Sequence, residues 1–164
     1  MREKKTNITK YYNVLFPIWM LIWYPFLFIL LIPANYLMDT FVLSFSLKDE
    51  SIRKPFRRKH TWKICLMGFL ADFIGSAFLF AVIMLTEGNN DLVNAICYDP
   101  FNNVLAFLII VIAIALSAVV IYFGDLWILK KAGLDDVQAK RSALFMAILT
   151  APYLFLFPTK LIYQ

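Results

Sequence analysis

Residues 62–86 read WKICLMGFLADFIGSAFLFAVIMLT, and the length and polarity of this stretch decide the fold class. Its 25 residues carry only two charged side chains, Lys63 at the start and Asp72 near the middle. A transmembrane helix needs about 20 predominantly apolar residues to cross a hydrocarbon core about 30 Å thick. The stretch therefore predicts a complete membrane-spanning helix.

Two further apolar stretches extend the same pattern. Residues 101–123 predict a second spanning helix, and residues 143–158, which contain Pro152, predict a shorter third one. Gly133, and Asp135 or Asp136 as the start of the next helix, lie between these two stretches. Glycine commonly ends a helix and aspartate commonly begins one, so we expect the second and third helices to form a tight antiparallel pair.

The composition of the whole chain agrees with a membrane protein. Of its 164 residues 62% are hydrophobic and 16% are charged, whereas soluble domains are usually about 45–50% apolar and about 25% charged. A short soluble domain cannot bury that much apolar surface, so lipid must cover the rest. The net charge of +5 comes from basic residues between the apolar stretches, which argues against nucleic acid as a partner. We predict one polytopic membrane domain over residues 1–164.

Residues 14–47 form the longest apolar region, and Pro17, Pro25 and Pro33 interrupt it. A straight helix of this length would be about 51 Å long, well beyond the hydrocarbon core. Proline removes a backbone donor and disfavours helix before it, so we predict a bend at residues 33–35. The region is then a kinked or re-entrant helical hairpin, and a single long span is the alternative.

Basic residues in the polar segments indicate the orientation, because Lys and Arg accumulate in cytoplasmic loops. Residues 1–10 contain four basic side chains and residues 48–63 contain seven. Residues 87–100 contain three acidic side chains and no basic one. We therefore expect the N-terminus and residues 48–63 and 132–141 in the cytoplasm. The segment 87–100 and the C-terminus are then outside.

Asp72 lies in the middle of the stretch at 62–86, where a carboxylate costs about 2.5–3.5 kcal/mol on insertion scales. Gly68, Ala71 and Gly75 share one helical face with it, and this face suits close packing against another helix. One interpretation is that Asp72 is protonated and hydrogen-bonds a neighbouring helix. The other is that it binds a proton, a cation or an amine.

Asp39 and Asp125 are two further carboxylates within apolar stretches. Asp39 follows Pro33 by six residues, and Asp125 lies toward the cytoplasmic end of the second predicted span. Snorkelling or pairing with Lys130 is a structural explanation of Asp125. Convergence of Asp39 and Asp125 with Asp72 would instead indicate a path for cations.

A basic cluster precedes the stretch at 62–86. Its members are Arg53, Lys54, Arg57, Arg58 and Lys59. Such clusters attract anionic lipid at about 1 kcal/mol for each basic residue near the surface. Orientation of the chain, together with anchoring by Trp62 at the interface, also accounts for the cluster. We predict membrane lipids as its contacts, with a cytosolic protein partner as the alternative.

The sequence contains few groups suited to metal binding or covalent catalysis. Cys65 and Cys97 lie in different settings and His60 is the only histidine, so no Cys/His spacing typical of a metal site occurs. The phosphate-binding glycine loop, the HExxH zinc motif and the GxSxG nucleophile motif are also missing. We therefore predict no enzymatic activity, no metal and no cofactor.

Four segments spread along the chain read FPIWML at 16–21, PAN at 33–35, GFLADFIG at 68–75 and TAPYLF at 150–155. They resemble segments of small uncharacterised membrane proteins of Gram-positive gut bacteria, which are often encoded near mobile genetic elements. The resemblance implies location in a bacterial cytoplasmic membrane. It implies no activity and no site residues.

These features together predict an all-α integral membrane protein. Short loops and small-residue helix faces favour a non-enzymatic subunit or scaffold of a membrane assembly, such as secretion, conjugation or transport machinery. Such a subunit would form a homo- or hetero-oligomer with other membrane proteins. The alternative is a small channel or transporter that uses Asp72 and Asp39. An intramembrane enzyme that modifies lipids is a third hypothesis.

Overall fold

The computed structural model describes residues 25–47, 50–86 and 88–161. Helices make up 88% of this part of the chain, and no strand occurs in it. Its α-helices are α1 (Pro25–Ser46), α2 (Glu50–Leu85), α3 (Asn90–Tyr98), α4 (Val104–Lys131) and α5 (Asp136–Leu149). Short 3₁₀ helices are Pro100–Asn102, Tyr153–Leu156 and Thr159–Leu161. The predicted all-α class is confirmed.

Among the described residues, three stretches are long and apolar enough to cross a membrane. They are Lys59–Leu85, Val104–Lys131 and Asp136–Leu156. These stretches correspond to the three predicted spans and confirm that the chain is a membrane protein. The helix of the second continues beyond residue 123, because α4 is uninterrupted to Lys131.

α1 continues through Pro33, so the turn predicted at residues 33–35 is wrong. Proline removes one backbone donor, but a helix in a membrane tolerates this loss where neighbouring groups satisfy the freed carbonyl. With 22 residues, α1 is about 33 Å long, close to the thickness of a hydrocarbon core. Residues 14–24, which belong to the first arm of the predicted hairpin, lie outside the described residues.

The basic segment predicted as a loop is helical from Glu50 onward. The apolar span of α2 begins only at Lys59, so the first turns of the helix project about 14 Å beyond it. Arg57 Nη1 donates a hydrogen bond of 2.9 Å to Ser44 Oγ of α1. This bond holds the end of α1 against the first turns of α2.

α4 and α5 form the predicted antiparallel pair. Gly133 adopts a φ of +95°, which side-chain-bearing residues rarely adopt, and Leu134 N donates to the Leu129 carbonyl at 3.2 Å. These features end α4. The Asp135 side chain then accepts a hydrogen bond of 3.2 Å from Gln138 N and caps the start of α5.

The third span is a discontinuous helix. α5 ends at Leu149, and its 14 residues are only about 21 Å long. After a break at residues 150–152, the chain continues as the 3₁₀ helix Tyr153–Leu156. Non-helical backbone inside a membrane must be buried in protein or face water, and Ala151 and Pro152 are buried.

The bundle has two chemically different ends. At one end, which we call the basic end, the span of α2 begins at Lys59 and α4 ends at Lys131. The opposite end, which we call the acidic end, carries α3. There the C-terminal segment attaches to α3, because Thr159 Oγ1 donates a hydrogen bond of 3.0 Å to the Cys97 carbonyl.

Candidate functional site

Three carboxylates lie inside the bundle, one on each of three helices. Asp39 of α1 is 6% exposed and Asp125 of α4 is 0% exposed, whereas Asp72 of α2 is partly exposed. Burying a charged group is costly unless it is paired or hydrogen-bonded. The neighbours of these three carboxylates therefore decide what they can do.

The structure brings the three carboxylates together around Asp39. Asp39 interacts electrostatically with both Asp72 and Asp125, although the three residues belong to different helices. The Cys65 thiol of α2 also lies close enough to the Asp39 carboxylate to interact with it. Residues from α1, α2 and α4 thus form one group, which we call the carboxylate cluster: Asp39, Cys65, Asp72 and Asp125.

Asp125 is the fully buried carboxylate of the carboxylate cluster. Neither of its carboxylate oxygens has a hydrogen-bond partner among the described residues. An unsatisfied buried polar group costs about 1–3 kcal/mol, and more if it is charged. Such groups in a native fold call for a specific explanation, and within a membrane they usually mark a functional site.

The carboxylate cluster extends over two depths. Asp72 is the central residue of the 27-residue span Lys59–Leu85, so it lies near the middle of the membrane. Asp125 lies six residues before the end of α4, and Cys65 lies six residues after the start of the α2 span. Both are therefore about 9 Å inside the basic end. Asp39 interacts with residues at both depths, which are about 10 Å apart along the bundle.

Close packing of α2 against α4 supports this arrangement. Ser117 Oγ donates a hydrogen bond of 3.0 Å to the carbonyl of Ala71, which is fully buried. A Cβ added at Gly75 would overlap Ser117 Oγ and would lie 2.8 Å from Phe155 Cε2. At Gly68 an added Cβ would meet no described atom within 4 Å. Of the three predicted packing residues, two therefore make close contacts within the chain.

We expect Ser117→Ala to lower the free energy of unfolding by about 0.5–1.5 kcal/mol, because the variant loses the hydrogen bond to the Ala71 carbonyl. Ser76→Ala is the matched control, since Ser76 Oγ is equally buried but has no hydrogen-bond partner among the described residues. Removal of the Ser76 hydroxyl should leave the free energy of unfolding unchanged or raise it slightly. Reversible unfolding in mixed micelles with increasing SDS, followed by circular dichroism, measures both variants. Equal losses would show that the Ser117 bond contributes nothing.

The basic cluster predicted from the sequence lies in the first turns of α2, outside the carboxylate cluster. Three of its members have side chains outside the described part of the structure: Arg53, Lys54 and Arg58. Arg57 binds Ser44, and Lys59 is exposed. Neither Arg57 nor Lys59 forms an ion pair with a described acidic side chain. Arg57 and Lys59 are therefore not cationic partners of the three carboxylates.

Cys65 is the member of the carboxylate cluster that the sequence reasoning missed. It precedes Asp72 by seven residues, a spacing that puts both side chains on the same face of a helix. This spacing could have placed Cys65 on the same helix face as Asp72 from the sequence alone. The contact with Asp39 was not predictable in the same way, because it depends on how α1 is rotated against α2.

No protein-family model matches the chain, and neither a curated protein nor a solved structure is detectably similar to it. The resemblance to small membrane proteins of Gram-positive gut bacteria therefore stays a prediction. The chemistry of the chain has to be argued from the carboxylate cluster itself.

The carboxylate cluster can accept and release small cations at two depths of the membrane. A carboxylate binds a proton covalently or a metal cation through its oxygens, and a neighbouring thiol can donate a hydrogen bond to it. Within the described residues, no group of three or more His, Cys, Asp or Glu side chains is arranged to hold a metal ion.

Proposed function

We propose that this chain is a small membrane transporter or channel that moves protons or small monovalent cations along Asp125, Asp39 and Asp72. The observation that carries the proposal is Asp125, which is fully buried and has no hydrogen-bond partner among the described residues. Intramembrane carboxylates commonly form proton relays and ion pathways.

The electrostatics of the carboxylate cluster support this role. Negative charges on Asp39 and its two acidic neighbours would repel one another strongly in an interior of low dielectric constant. The ion pairs of the described residues are formed by Asp99 and Asp136, not by these three. Protons or a bound cation therefore have to relieve the repulsion. A cation that moves from one carboxylate to the next leaves the net charge of the cluster unchanged at every step.

An apolar barrier closes the acidic end of the bundle. It consists of buried residues of α2, α3 and α4, among them Leu79, Ile83, Leu92, Ile96 and Ile110. The same end carries a polar cleft of about 480 Å³, whose lining includes Asp91, Asn94 and Asn102. A route from the carboxylate cluster to this cleft requires the barrier to open. This arrangement supports a gated protein more than a permanently open pore.

The scaffold hypothesis receives less support from the packing. Ala71 and Gly75 already contact α4 and the C-terminal segment, so this small-residue surface is not free to bind another subunit. The exposed helix surfaces carry large apolar side chains such as Leu66, Phe73 and Val119. Lipid alone is sufficient to cover such surfaces.

We also propose that the protein lies in a bacterial cytoplasmic membrane with its basic end in the cytoplasm, because Lys and Arg favour that side. The C-terminal segment contacts α3 at the acidic end, so the C-terminus is then outside. A cytoplasmic N-terminus additionally requires the chain before Pro25 to cross the membrane once more.

The test is cation flux into sealed liposomes that contain the purified full chain and a trapped pH-sensitive dye, with a potassium diffusion potential as the driving force. Driven by this potential, the internal pH should change faster in liposomes with wild-type protein than in empty liposomes. Asp72→Asn should slow this flux at least about tenfold, because the uncharged amide of similar shape cannot exchange a proton. Replacement of the trapped dye by a sodium-sensitive one tests a monovalent metal ion in the same way.

Asp136→Asn is the matched control for the flux measurement. Asp136 is exposed at the basic end and pairs with Lys130 and Lys140 outside the carboxylate cluster, so this variant should conduct like the wild type. Wild-type protein without flux would overturn the transport proposal. If the Asp72→Asn variant conducted as fast as the wild type, Asp72 would not be part of the cation route. An inert protein that purifies with stoichiometric partners would support the scaffold role.

A further inference from the structure

Three pairs of an aromatic ring and a cation lie at the basic end, one pair on each of three helices. Lys63 Nζ is 5.7 Å from the ring centroid of Trp62 on α2. Lys131 Nζ is 4.8 Å from the ring centroid of Trp127 on α4. On α5 the guanidinium carbon of Arg141 is 5.6 Å from the ring centroid of Phe145. We call these six residues the cationic belt.

The two tryptophans of the cationic belt lie at the same height in the bundle. The hydrogen bond from Ser117 to Ala71 fixes the register of α2 against α4. Trp62 precedes Ala71 by nine residues, and Trp127 follows Ser117 by ten residues in the antiparallel helix. At 1.5 Å per residue the two rings therefore differ in height by only about 2 Å.

Both indole rings are positioned for the membrane interface. Trp62 is 55% exposed and Trp127 is 62% exposed, on helices whose outward surfaces are otherwise apolar. Tryptophan concentrates at the level of the lipid headgroups, where its ring is partly in hydrocarbon and its N–H reaches polar groups. The register of the two rings thus marks the headgroup level at the basic end.

The cations of the belt are not neutralised within the described part of the chain. Lys130 and Lys140 both pair with Asp136, whereas Lys63, Lys131 and Arg141 form no ion pair with any described acidic side chain. All three are exposed. Unpaired cations held beside aromatic rings match the phosphate of a lipid headgroup in charge, and Lys63 and Lys131, beside the two tryptophans, also match it in height.

We propose that the cationic belt binds anionic phospholipids selectively, with the headgroup phosphate against Lys63, Lys131 and Arg141 and the acyl chains along the exposed apolar helices. A zwitterionic headgroup carries its own cation and gains less from this surface. The inference does not depend on the transport proposal, because the belt lies outside the carboxylate cluster. It extends the predicted interfacial contact of Trp62 to residues of α4 and α5 that the sequence pattern did not single out.

The experiment measures quenching of tryptophan fluorescence by brominated lipids in vesicles that contain the full chain. The ratio of quenching by brominated phosphatidylglycerol to that by brominated phosphatidylcholine gives the relative binding constant. The two other tryptophans contribute the same background to every variant. We expect a ratio well above one for the wild type. Removal of each cation should lower the ratio by up to about fivefold. The triple variant Lys63→Gln, Lys131→Gln, Arg141→Gln should give a ratio near one.

Lys140→Gln is the matched control for Lys131→Gln. Both substitutions remove one exposed lysine charge from the basic end, but Lys140 already binds Asp136 at 2.6 Å. Lys131→Gln should therefore lower the ratio clearly more. Equal effects would overturn the proposal, because they would show a response to total charge alone. A wild-type ratio of one would also overturn it and leave the belt to an acidic protein partner.

Discussion

Gly75→Ala is expected to lower the free energy of unfolding by about 1–3 kcal/mol, the usual cost of overpacking a core. The added Cβ would overlap Ser117 Oγ and would lie 2.8 Å from Phe155 Cε2. It would also come within 3.4 Å of the Ala113 carbonyl oxygen. The hydroxyl cannot turn away without losing its bond to Ala71, and the carbonyl cannot move without shifting α4. We therefore expect the α2–α4 contact to loosen.

The other two helical glycines are matched controls for this substitution. An added Cβ at Gly68 meets no described atom within 4 Å, so Gly68→Ala should raise stability by about 0.5–1 kcal/mol through improved helix propensity. At Gly124 the added Cβ would meet only the flexible side chain of Met67, which can repack at small cost. Unfolding by SDS in mixed micelles measures all three. If Gly75→Ala were as stable as Gly68→Ala, the described α2–α4 packing would be contradicted.

The spans were predictable because a hydrocarbon core of fixed thickness allows few structures other than a helix of about 20 apolar residues. Their ends were less predictable, since polar residues do not by themselves end a helix. Residues 50–58 carry four basic side chains and still continue α2, whereas α4 continues to the end that Gly133 predicted. Pro33 is tolerated within α1 for a related reason, because the cost of one missing donor is smaller than the cost of opening the helix in lipid.

The carboxylates were predictable as individual residues but not as a group. The period of a helix identifies which residues share a face of α2, yet it does not say which face of α1 or α4 meets them. That choice is made by pairwise contacts such as Ser117 with Ala71 and Arg57 with Ser44. These contacts rotate the helices so that Asp39 approaches Asp125, and no pattern within a single helix contains that information.

Replacing Asp125 by alanine is expected to change transport and stability in opposite directions. Flux in liposomes should fall at least about tenfold, because the route loses its carboxylate nearest the basic end. The free energy of unfolding should stay unchanged or rise by up to about 2 kcal/mol. The reason is that the buried carboxylate makes no hydrogen bond with described residues, so its removal relieves a cost of burial and the repulsion from Asp39.

The matched control is Asp136→Ala, whose carboxylate is exposed and binds Lys140 at 2.6 Å as well as Lys130. This variant should conduct like the wild type and should be slightly less stable, because it loses two surface ion pairs. When flux and SDS unfolding are measured on the same preparations, Asp125→Ala should lose flux and keep its stability. Asp136→Ala should keep its flux and lose some stability. A clear loss of stability in Asp125→Ala would mean that this carboxylate holds the helices together. The transport proposal would then lose its main support. It requires that burying the Asp125 carboxylate lowers the stability of the fold.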